Sequence, residues 1–84
     1  MEIKTLQDWN SIEQELRNQI NLVDYNPDLH KMKRNIDTMI RELSKAEVEA
    51  RRIKNLKYLQ PKIDEVNQAI NRLEKSILIL LLSQ

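Results

Sequence analysis

Two rows of apolar residues, each stepping alternately three and four positions, run through most of this 84-residue chain. The first is Leu29, Met32, Ile36, Met39, Leu43, Ala46, Ala50 and Ile53. The second is Leu56, Leu59, Ile63, Val66, Ile70, Leu73, Ile77 and Leu80. On an α-helix this alternation keeps every side chain on one stripe; on a strand it would scatter them over both faces. The pattern therefore selects helix, and its length predicts coiled-coil-like packing against neighbouring helices. From Ile53 to Leu56 the step is three where continuation needs four, so the stripe jumps about 100° around the helix. That slip argues for two packing elements rather than one rod.

Two prolines add punctuation. Asn26-Pro27-Asp28 reads as a helix start, with Asn as N-cap, Pro in the first helical position and an acid in the first turn. Pro61 precedes Lys62, Ile63, Asp64 and Glu65, again with acids where the helix dipole favours them. Thr5 and Asp8 form a variant of the capping box. A third apolar stripe, Leu6, Trp9, Ile12, Leu16, Ile20 and Val23, follows at ordinary helical spacing. The sequence thus predicts one all-α domain over residues 1–84, with helices at about 5–24, 27–59 and 61–82 and breaks at Asn26-Pro27 and near Gln60-Pro61. The expected fold is an elongated, antiparallel three-helix hairpin or bundle with heptad seams.

Composition excludes more than it assigns. Glycine and cysteine are absent and histidine occurs once. Without glycine there is no phosphate-cradling loop, dinucleotide fingerprint or nucleophile elbow. Without cysteine there is no disulfide, and His30 alone cannot build a structural zinc site. The serines Ser11, Ser44, Ser76 and Ser83 are spread over different helices, with no histidine base and orienting acid in view. Acid pairs such as Glu13/Glu15, Glu47/Glu49 and Asp64/Glu65 point apart on a helix. No enzyme, cofactor or metal is expected. The N-terminus is mixed polar and acidic, and the longest apolar run, Ile77 to Leu82, falls far short of the ~20 residues of a transmembrane helix. A cytoplasmic protein is the expectation.

The stretch Ile12 to Arg17, then Asn26-Pro27, then Ile36 to Ile40 resembles the small aspartyl-phosphate phosphatases of the sporulation phosphorelay. Their second helix carries a Ser-Gln-x-x-Asp motif. Asp37 stands at the aspartate position, but Lys33 and Arg34 replace the Ser-Gln pair, so that activity is not carried over.

Charge is distributed unevenly. Residues 1–28 hold two basic and six acidic side chains, whereas residues 29–62 hold ten and four. Lys31, Arg34, Arg41, Lys45 and Arg52 fall opposite the first seam, as a basic ladder about 30 Å long. The ladder is the expected partner-binding surface, with an acidic protein as the favoured partner and nucleic acid as the alternative. No aromatic residues alternate with the cations, which weakens the nucleic-acid case.

The tail departs from a solvated bundle differently. Ile77, Leu78, Ile79, Leu80, Leu81 and Leu82 make the last helix apolar on every side. Such a helix end calls for burial all round, and a chain this small has little protein to surround a terminus. These six residues are the expected oligomer interface of a homo-oligomer, with a dimer as the simplest form. The function expected is a non-enzymatic interaction module: an adaptor, assembly factor or inhibitor.

Overall fold

The computed structural model describes residues 1–83 and is an all-α bundle of three mutually packed helices. A 3₁₀ turn, Leu6–Asp8, leads into α1 (Trp9–Asn21). Helix α2 spans Pro27–Arg52, and a second 3₁₀ turn, Leu56–Leu59, opens α3 (Gln60–Leu82). The short connections reverse the chain twice, so α1 and α3 run in one direction and α2 in the other. The Cα extents are 49 × 19 × 15 Å with a radius of gyration of 14.1 Å. A compact chain of this length would have about 12 Å, so the bundle is elongated.

The start of α2 follows from its first three residues. Asn26 is extended, and its side-chain oxygen accepts a hydrogen bond from the Asp28 N–H at 2.9 Å. Pro27 supplies a helical φ and lacks the N–H that would otherwise go unsatisfied. At the other end of the chain's first turn, the Asp8 carboxylate accepts from the backbone N–H groups of Lys4 and Thr5. Those two bonds hold its carboxyl below the usual range. Their contribution is complete above that range and is lost as pH falls through the lowered value.

The end of α2 lies earlier than expected. The sequence reading carries the helix to residue 59 and breaks it at Gln60-Pro61; the helix ends at Arg52. The Asn55 N–H donates to the Ala50 carbonyl at 2.9 Å, and the Lys54 N–H to that of Arg51 at 3.2 Å. This pair of bonds is a Schellman cap. The seam slip between Ile53 and Leu56 therefore marks the turn, and the proline does not. Pro61 sits in the first turn of α3, where no intrahelical bond needs its N–H. In consequence Ile53 and Leu56, which close and open the two seams, lie on the turn and are exposed.

Lys54 occupies the cap position usually held by glycine, with φ at 56°. A left-handed conformation costs an L-residue about 1–2 kcal/mol, part of which glycine would lose again as unfolded-chain entropy. Lys54→Gly is expected to raise stability by about 0.5–1 kcal/mol, read as a melting point several degrees higher. An unchanged or lower melting point would contradict the cap geometry.

The core runs the length of the bundle. Leu16 on α1, Leu29 and Ile36 on α2, and Val66, Ile70, Leu73 and Ile77 on α3 are almost completely shielded from water. Met32, Met39 and Ile63 pack at its margin. Two core members, Ile40 and Ile3, lie outside all three apolar stripes. Ile40 is buried because α2 packs against α3 and both 3₁₀ turns and also meets α1 at Lys33, which needs a broader apolar face than one stripe. Ile3 is buried ahead of any helix, clamped by Asn67: its N–H donates to Asn67 Oδ1 at 2.7 Å, and Asn67 Nδ2 donates to its carbonyl at 3.0 Å. The N-terminal ammonium meets Glu74 at 2.9 Å. These contacts tie the N-terminal segment to α3.

Helix α1 is about 20 Å long, against about 39 Å for α2 and 35 Å for α3. It therefore covers only part of the groove between them. Beyond its start lies an opening of about 370 Å³ floored by Leu6, Leu43, Leu56, Leu59 and Ile63. Beyond its end lies another, of about 470 Å³, bordered by Leu22, Leu78 and Leu81.

Candidate interaction surfaces

The five ladder residues, Lys31, Arg34, Arg41, Lys45 and Arg52, are all exposed on the face of α2 turned away from the core. Helical geometry sets this: they fall within about 80° of one another, centred opposite Leu29, Ile36 and Leu43. The row includes Thr38 and Val48, both exposed. Lys31, Arg34, Thr38, Arg41, Lys45, Val48 and Arg52 then step three and four without a gap. The outer face thus has a heptad register of its own, which the apolar pattern concealed.

The cations differ in their freedom. Arg52 pairs with Glu49, and that hydrogen bond holds the Glu49 carboxyl below its usual range and raises Arg52 correspondingly. Among the described residues, Lys31, Arg34, Arg41 and Lys45 pair with no carboxylate. The Thr38 hydroxyl donates to the Arg34 carbonyl at 3.2 Å and accepts from Arg41 Nη2 at 3.1 Å, aligning that guanidinium along the helix. Four uncompensated cations remain in a row about 21 Å long.

Another cation on α2, Lys33, has the opposite fate. Its side chain is only 11% exposed and its Nζ bridges both Asp37 oxygens, at 2.8 and 2.9 Å, and Glu13 at 3.5 Å. It also lies 5.9 Å from the Trp9 ring centroid. Glu13 is in turn held by Arg17. Sequence reading missed this cluster, although Leu29, Lys33, Ile36 and Ile40 step four, three and four with Asp37 one turn from the lysine. Asp37 is engaged in this ion pair.

The tail residues divide. Ile77 is packed in the chain's own core, and Leu80 and Leu81 are half-buried against it. They are satisfied within one molecule, so the expected six-residue interface shrinks. Leu78, Ile79 and Leu82 remain, 55%, 64% and 78% exposed on the outer face of α3. Leu22, at the end of α1, is 65% exposed and borders the same opening as Leu78. Glu15, Glu74 and Lys75 rim it. Burial all round fails because α1 covers one flank of the α3 terminus and nothing among the described residues reaches the other.

Trp9 is buried in the core, His30 is half-buried and stacked on Tyr25 at 5.0 Å, and Tyr58 lies under Lys62 Nζ at 5.8 Å. Among the described residues no three acids or histidines gather as a metal site, and no helix is long and apolar enough to cross a membrane. No protein-family model matches the chain, and no curated protein or solved structure matches it.

Proposed function

We propose that the protein is a small, non-enzymatic interaction module of the cytoplasm, an adaptor, assembly factor or inhibitor, acting as a homo-oligomer with a dimer as its simplest form. The observation that carries this reading is the cluster of Leu78, Ile79, Leu82 and Leu22, four large apolar side chains left in water beside a completed core. Fully burying such a side chain stabilises by about 1.5–3 kcal/mol. Covering the exposed two thirds of all four, on two subunits, contributes about 8–15 kcal/mol before costs. Association itself costs about 4–15 kcal/mol. The two are of one size, which supports a concentration-dependent association rather than an obligate one.

Sedimentation equilibrium at about 100 µM is expected to give at least twice the 10.1 kDa chain mass, falling toward it on dilution. The variant Leu78→Glu/Ile79→Glu/Leu82→Glu lies outside the core and should keep the helical signal while sedimenting as a monomer. A wild-type monomer at that concentration, or a variant that keeps the higher mass, would overturn the reading. A second reading, a nucleic-acid-binding accessory protein, draws on the four unpaired cations of α2. Its signature is a logarithm of affinity that falls linearly with the logarithm of salt.

A further inference from the structure

We infer that the outer face of α2 is a docking track for an acidic helix of another protein, laid lengthwise along Lys31, Arg34, Thr38, Arg41 and Lys45. This rests on the interaction-module reading and names the partner's chemistry.

Three features of the row carry it. First, the spacing is three and four throughout, the register at which a second helix can follow a first without drifting off its stripe. Folding does not require that register on a solvated face, because these side chains make no seam contacts. Second, Lys31, Arg34, Arg41 and Lys45 are unpaired among the described residues, while nearby cations are taken: Lys33 by Asp37, Arg51 by Glu47 and Arg52 by Glu49. The unpaired cations of α2 are thus gathered on one line. Third, the line is mixed with Thr38 and Val48, whose methyl groups suit a side-chain surface better than a phosphate backbone.

The flanks decide between partner classes. Exposed Glu42 lies along one edge of the row and pairs with no cation among the described residues, whereas Glu49 on the same edge is taken by Arg52. A polyphosphate backbone laid on the cations would be pressed against the Glu42 carboxylate. A helix with one acidic stripe and basic residues beside it meets both. No aromatic side chain stands in the row to stack on bases. A second copy of this chain is a poor occupant as well, since like rows repel and no helix here carries an acidic stripe at that spacing.

The test uses the full chain and a labelled 21-residue helical peptide with glutamates at alternating three and four spacing and lysines on its flanks. Fluorescence anisotropy is followed at about 50 and 300 mM salt. Binding is expected to weaken steeply across that range. A peptide of identical composition with its glutamates off register should bind at least about tenfold more weakly, and so should a 20-base-pair duplex. Arg34→Glu/Arg41→Glu/Lys45→Glu should lose about tenfold or more in affinity with helix content unchanged. If that variant loses helix content, Arg34→Gln/Arg41→Gln/Lys45→Gln replaces it, with a loss of about threefold or more expected. The Leu78/Ile79/Leu82 glutamate variant should still bind the peptide as a monomer, so failure of self-association and failure of the track read separately. Equal binding of the off-register peptide, tighter binding of the duplex, or full affinity in both ladder variants would each overturn the inference.

Discussion

Leu73→Ala is expected to remove about 3–5 kcal/mol of folding stability. Leu73 is fully shielded, in the middle of α3, within the one core that all three helices share. Removing its branched end forfeits the transfer free energy and leaves a cavity that rigid helices on both sides cannot close, which typically costs 2–5 kcal/mol for leucine. A chain of 84 residues has a total stability of about 4–13 kcal/mol. The variant should therefore be close to its unfolding threshold at 37 °C. Each kcal/mol moves the melting point of a domain this size by about 4–8 °C, so the midpoint should fall by at least 12 °C. Val48→Ala, on the exposed face of α2, is the control and should stay within about 0.5 kcal/mol of wild type. Thermal melts at a single protein concentration make the comparison, because self-association shifts midpoints by mass action. A loss below 1 kcal/mol for Leu73→Ala would contradict the core described above.

The second large effect belongs to Lys33. Lys33→Glu puts a third carboxylate between Glu13 and Asp37 in a site whose lysine side chain is 11% exposed. Breaking a buried pair typically costs 3–5 kcal/mol. The two acids are 22% and 38% exposed, so water screens part of the repulsion. About 2–4 kcal/mol is expected. Lys33→Met should be milder, about 1–2 kcal/mol, since a methionine fills the same space, Glu13 keeps Arg17, and the Asp37 carboxylate left behind is 38% exposed and open to water. Exchanging the pair, Lys33→Glu with Asp37→Lys, should recover at least half of the loss. Urea unfolding of the four proteins checks this. Equal stability of Lys33→Glu and Lys33→Met would show that packing, not charge, sets the requirement at this position.

These two residues also mark how far the sequence alone could be read. Leu73 was legible because apolar periodicity is a local property: seven neighbours in register announce which face of α3 is wet and which is dry. The start of α2 was legible for the same reason, since Asn26, Pro27 and Asp28 act within one turn of backbone. So was the turn, had the slip between Ile53 and Leu56 been weighted above Pro61. A proline is costly in a helix interior and harmless in a first turn, and its letter does not say which it occupies.

Lys33 was not legible as a buried residue. Its burial depends on Glu13, twenty positions away, arriving opposite it, and on Trp9 covering it. Ile3 is a sharper case, since its clamp, Asn67, lies sixty-four residues along the chain.

The amino-acid sequence by itself determined the helices, the cap that starts α2 and the stripes they bury, because turns of helix are decided by residues three and four apart. It also determined the basic row on α2, which needs only that helix to exist. Only the tertiary structure decided which apolar residues of the tail find cover: the bundle packs against one side of the α3 terminus, so Ile77 is buried while Leu78, Ile79 and Leu82 stay in water. The short α1 left the two grooves open, while its Glu13 and Trp9 set Lys33 apart from the free cations around it. Those outcomes depend on where one helix ends against another, a distance that no local pattern encodes.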